Sequence, residues 1–99
     1  MYTTGTRLES QVCDTQVIVV RTAESLADLR CGGAAMVEIG GERSGAALDG
    51  RFAEGTALGK RYVDETGAEI LVTKAGAGSL SVGDARLRFK ESTALPSSD

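Results

Sequence analysis

Two near copies of one β-branched run, Gln16-Val17-Ile18-Val19-Val20-Arg21 and Glu69-Ile70-Leu71-Val72-Thr73-Lys74, constrain this 99-residue chain more than any other feature. Branched side chains are stiff at the first torsion and fit a pleated surface better than a helix, so both runs predict buried strands. Leu80-Ser81-Val82 and Ala85-Arg86-Leu87-Arg88-Phe89 alternate apolar and polar residues around Gly83-Asp84, a pair suited to a type II′ turn. That hairpin sets Leu80 opposite Leu87 and Val82 opposite Ala85 on one face, with Ser81 and Arg86 on the other. Asp64-Glu65-Thr66-Gly67 supplies a second turn, between Lys60-Arg61-Tyr62-Val63 and the strand from Glu69. Only Thr22 to Leu29, with a capping Thr, an early Glu and leucines three apart, predicts helix, and no more than a turn or two of it. The expected fold is a mostly β, small antiparallel protein with short hairpins and at most one short helix.

The halves of the chain overlay in order. Gly5-Thr6-Arg7-Leu8 matches Gly59-Lys60-Arg61-Tyr62, and Val17 to Arg21 matches Ile70 to Lys74. Leu29-Arg30-Cys31-Gly32-Gly33-Ala34-Ala35-Met36 matches Leu80-Ser81-Val82-Gly83-Asp84-Ala85-Arg86-Leu87. The chain therefore divides into a β unit at 1–39 containing Cys13 and Cys31, a Gly-rich connecting segment at 40–58, a second β unit without Cys at 59–91, and a flexible tail at 92–99. Each unit is too small to bury its apolar face alone, and together they are expected to share one core. In the connecting segment Phe52 is the expected anchor.

Composition narrows the chemistry. The chain has no His, so the commonest general base and the commonest transition-metal ligand are both missing. A pI near 4.9 and four aromatic residues argue against nucleic acid as a partner. No apolar stretch approaches the ~18 residues that cross a bilayer, and no signal-like segment opens the sequence. A cytoplasmic protein that does not bind membranes is expected, and in that compartment thiols stay reduced.

The stretch Leu8-Glu9-Ser10-Gln11-Val12-Cys13-Asp14-Thr15-Gln16-Val17-Ile18-Val19-Val20, followed by Asp28-Leu29-Arg30-Cys31-Gly32-Gly33-Ala34-Ala35-Met36-Val37, resembles desulforedoxin and the N-terminal domain of desulfoferrodoxin. In that family a C-x-x-C knuckle precedes a valine-rich strand, a loop, an adjacent Cys-Cys, a Gly and a Met-Val ending. Cys13 falls on the second knuckle cysteine and Cys31 on the second of the adjacent pair. Ser10 and Arg30 stand at the other two positions, and the second half carries no Cys. The resemblance implies two desulforedoxin-like units, a one-iron site of four thiolates and pairing as a homodimer. With two thiols, no His and the charge of Arg30 beside the seat, the expectation here is a lost site without a cofactor, Cys13 and Cys31 packing together. Iron or zinc held by Cys13 and Cys31 of two chains is the alternative.

Other motifs fail on inspection. Gly55-Thr56-Ala57-Leu58-Gly59-Lys60-Arg61 lacks the first glycine and the hydroxyl of a phosphate loop, and Gly76-Ala77-Gly78-Ser79-Leu80-Ser81 leads into a strand where a dinucleotide fingerprint needs a helix. The second is read as a flexible turn. Asp64 with Glu65, and Glu42 with Asp49, are read as solvated loop charges. Lys60, Arg61, Lys74, Arg86, Arg88 and Lys90 gather in the second half as the solvent face of a sheet. A redox pairing of Cys13 with Cys31 lacks the C-x-x-C at a helix N-terminus that usually supports one. No catalytic constellation emerges, so the expectation is not an enzyme but a small accessory or interaction subunit of a larger assembly. Its partner would be a protein or a second copy of itself, contacted through Arg30, Arg61, Arg86, Arg88 and Leu95, with a thiolate metal or redox protein as the alternative. Exposed strand edges in so small a chain favour the homodimer.

Overall fold

The structure, a computed structural model, describes residues 2–90. Ten short strands carry the fold: β1 (Arg7–Glu9), β2 (Gln16–Arg21), β3 (Leu29–Cys31), β4 (Ala34–Ala35), β5 (Val37–Glu38), β6 (Arg61–Val63), β7 (Glu69–Lys74), β8 (Leu80–Val82), β9 (Ala85–Arg86) and β10 (Arg88–Phe89). They form two antiparallel sheets, one in the order β10-β6-β7-β2-β1-β5 and one in the order β4-β3-β8-β9. The chain is thus mostly β, as its branched runs predict, and both six-residue runs are strands over their full predicted length.

The order of each sheet reads the same after the two halves are exchanged. Replacing β1 to β5 by β6 to β10, and the reverse, returns the six-strand order and the four-strand order unchanged. The halves meet at the middle of each sheet, where β2 pairs with β7 and β3 with β8. Local hydrogen bonds repeat as well. Met36 N–H donates to Leu29 O and Leu87 N–H to Leu80 O, each at 3.0 Å. Gly5 N–H donates to Val19 O at 2.8 Å, and Gly59 N–H to Val72 O at 2.9 Å.

Alternation explains the packing. Val17 and Val19 of β2 face Val72 and Ile70 of β7 in register, and all four are buried. With Leu8, Tyr62, Leu26, Leu29, Cys31, Met36, Ala68 and Leu80 they make one core cluster to which both halves contribute. Ile18 and Leu71, partners in the same register, point to the other face and are only half-buried, so the two runs are covered fully on one side.

The helical expectation falls at Glu24–Asp28, a 3-10 turn whose Leu26 enters the core. Thr22 does not cap it: Ala23 holds the N-cap position without a side-chain bond, and the Thr22 hydroxyl donates to Tyr2 O instead. A second 3-10 turn, Gly50–Phe52, forms in the connecting segment with the Asp49 carboxylate accepting from Arg51 N–H. Phe52 is buried and anchors the segment, whereas Leu58 is 66% exposed. In the second hairpin Val82 pairs with Ala85 and Ser81 with Arg86, and Gly83 takes φ +57° while no non-glycine residue among those described has positive φ. The first hairpin differs, since Gly32 and Gly33 are both positive at +66° and +87°, the pattern of a type I′ turn.

Candidate functional site

Cys13 and Cys31 come together at the seam between the halves. Cys31 is fixed in β3 and fully buried, and its Sγ lies 3.7 Å from Sγ of Cys13, which sits half-buried in the loop between β1 and β2. Ser10 shapes that loop. Its Oγ accepts from Val12 N–H at 3.1 Å and Cys13 N–H at 3.2 Å, and it lies 3.3 Å from Cys13 Sγ, accepting from the thiol and able to donate to its anion. The Thr15 hydroxyl stands 3.3 Å from Cys13 Sγ on the other side and is held by Thr56 at 3.1 Å.

The last partner comes from the other half. Gly78 N–H donates to Cys13 Sγ at 3.3 Å. The link between β7 and β8 can approach so closely because Gly76 and Gly78 carry no side chain: a Cβ on Gly76 would lie 2.5 Å from the backbone nitrogen of Thr15, and one on Gly78 would lie 2.8 Å from Gly32 N and 3.0 Å from Cys31 Sγ. The Gly76-Ala77-Gly78 turn therefore serves the thiol pocket through close approach. Sequence reading finds the glycine spacing but assigns it no task, because the site joins residues from both halves.

The two thiols differ in acidity. Burial opposes ionisation of Cys13, but the Ser10 and Thr15 hydroxyls with the backbone N–H groups of Thr15 and Gly78 more than offset it and bring the thiol down to about 7. Burial pushes Cys31 up to about 12, against the hydroxyl of Thr15 and reinforced by the neighbouring Cys13.

As metal donors these residues do not complete a thiolate site. Two sulfurs are present, Ser10 places a hydroxyl at a third position, and that hydroxyl is committed to the loop backbone. Among the described residues no three His, Cys, Asp or Glu side chains gather as a metal-binding group. Of the two sulfurs, Cys13 is partly exposed and Cys31 is fully buried. The expected charge at the seat is corrected: Arg30 alternates with Cys31 along β3, and its guanidinium bonds Asp28 at 3.1 Å on the opposite face.

The other candidate residues are dispersed. Arg61 pairs with the buried Glu69 at 3.1 Å, and Lys90 pairs with the same carboxylate at 2.9 Å. Lys90 and Arg61 together hold Glu69 below the usual carboxylate range, with burial acting against them. Arg86 is exposed, as expected of a solvent face, and there it lies over the Phe52 ring, bonds Glu54 at 2.7 Å and donates to Arg51 O. Asp64 caps its own turn by accepting from Thr66 and Ala68 N–H, and Asp49 pairs with Arg51. Arg88 lies on the edge strand β10 and makes no ion pair among the described residues. Next to it Phe89 is 54% exposed and packs on Tyr62 with ring centroids 4.9 Å apart. Leu95 lies outside the described residues. No helix among the described residues is long and apolar enough to cross a membrane. Comparison with protein-family models, curated proteins and solved structures found no match to any of them.

Proposed function

We propose that the chain is a small non-catalytic accessory or interaction subunit, built from two desulforedoxin-like units, that docks a protein partner along the β10 edge. The observation that carries this reading is the exposed Phe89 ring on the edge strand β10, beside Arg88 and Lys90. An aromatic anchor flanked by cations on an edge strand suits an extended segment carrying apolar and acidic side chains, added as a further strand. The reading takes the cytoplasm as compartment and needs no cofactor.

A photo-reactive phenylalanine analogue at position 89 tests it in the intact cell. One discrete cross-linked species is expected, absent when the analogue replaces Val20 and weakened by Arg88→Glu. An adduct of twice the chain mass identifies a second copy as the partner. No adduct at 89, or the same set from both positions, removes the reading.

A further inference from the structure

We propose that Cys13 and Cys31 form a thiol–disulfide exchange site, in which Cys13 attacks a low-molecular-weight disulfide of the glutathione class and Cys31 resolves the product into an internal Cys13–Cys31 bond. The site is independent of the docking edge. Its geometry supplies the separate requirements of the two steps.

The attacking sulfur must be reachable and its anion supported. Cys13 is half-buried in a loop, with the hydroxyls of Ser10 and Thr15 and the N–H of Gly78 all 3.3 Å from its sulfur. Three polar partners around one sulfur, two hydroxyls that accept from the thiol and can donate to its anion and one N–H that donates, are unusual for a thiol that merely fills space, because an inert structural cysteine is surrounded by apolar atoms. The resolving sulfur must be close and must not compete for the first attack. Cys31 is fully buried and 3.7 Å from Cys13, so closure to a disulfide bond of ~2.05 Å needs about 1.7 Å of approach. Cys31 is held by the ladder of β3 between β4 and β8, which leaves the loop cysteine to make that movement.

The steps balance. Cys13 thiolate attacks one sulfur of RSSR; the Cys13–SR bond forms, the S–S bond of RSSR breaks, and RS⁻ leaves. The departing thiolate takes the proton of Cys31, whose sulfur attacks Cys13 Sγ and expels the second RS⁻, which takes from water the proton that Cys13 gave up. In sum two protein thiols and RSSR become one protein disulfide and two RSH, and two electrons pass to the small disulfide. The reverse sequence restores the dithiol in a reducing pool.

The test uses the full chain in a series of oxidised to reduced glutathione ratios, quenched in acid, blocked with a maleimide and weighed intact. Both thiols are expected to disappear together with the loss of two hydrogens, and dithiothreitol is expected to restore them. Cys31→Ala should stall as a single glutathionyl adduct on Cys13. In the native dithiol, Cys13 should be alkylated at least about tenfold faster than Cys31. A stable glutathionyl adduct on the wild-type chain, disulfide-linked dimers in place of the internal bond, or thiols that react only after unfolding would each overturn the proposal. The wild-type measurement decides by itself if the variant does not fold.

Discussion

Ser10 and Asp64 occupy equivalent turns and do the same work with different chemistry. Ser10 Oγ accepts from Val12 and Cys13 N–H, and Asp64 Oδ1 accepts from Thr66 and Ala68 N–H. A neutral hydroxyl keeps a hydrogen that it can offer to the Cys13 anion, which a carboxylate does not; the second half has no Cys to receive one. The pH dependence follows from the two sulfurs. Cys13 falls from 9.0 to about 7 on folding, so its contribution to stability is complete above pH 9 and is lost as pH falls from 9 to 7. Cys31 rises from 9.0 to about 12, so its contribution is complete below pH 9 and is lost as pH rises from 9 toward 12. Urea midpoints should therefore show wild type gaining on Cys13→Ser between pH 7 and 9, and falling back against Cys31→Ser above pH 9. Ser10→Ala removes the hydroxyl that helps Cys13 ionise, and the pH at which Cys13 alkylation is half-maximal should move upward from about 7. An unchanged profile would remove Ser10 from the site.

Among the elements, the strand pairs β3–β8 and β2–β7 matter most because each joins one half to the other. Leu29 and Leu80 are equivalent, buried to 2% and 3% exposure, and lie on the two sides of the β3–β8 pairing. Leu29→Ala and Leu80→Ala should each cost about 2–5 kcal/mol in chemical denaturation, with one transition in both variants. A loss confined to the half that carries the substitution would contradict the shared core. Gly76→Ala sets a methyl group against the Thr15 backbone and should cost about 1–3 kcal/mol by the same measurement. Strands β2 and β7 were legible because branched runs of that length have few other uses, and the second hairpin because Gly83-Asp84 lies between alternating residues. The partner choices were not legible. Val17 reads as core whether its strand neighbour comes from its own half or the other, and nothing in the glycines of 76–78 names the cysteine they approach. The role of the connecting segment was legible only at Phe52; its attachment to Glu9 and Gln11 depends on bonds from Gly40, Arg43 and Ser44 that composition does not disclose.

For the whole molecule, the exchange of strands across the middle of both sheets means that neither half has a complete sheet of its own. Residues 1–49 and 50–99 made separately should show little ordered structure by circular dichroism, and mixing them should restore the β signal, since each offers the central strand the other lacks. An independently folded half would be incompatible with the pairing seen here. Two units of matching strand order are paired within this one chain. A symmetric pair of identical chains must repeat every substitution at both ends, so a thiol pocket or an open edge introduced once is present twice. A fused pair is released from that rule. Here Cys31 has Val82 as its counterpart and Glu38 has Phe89, so one half carries both thiols while the other presents the exposed aromatic ring. Division of labour needs two positions that can drift apart, and joining the halves in one polypeptide is what provides them.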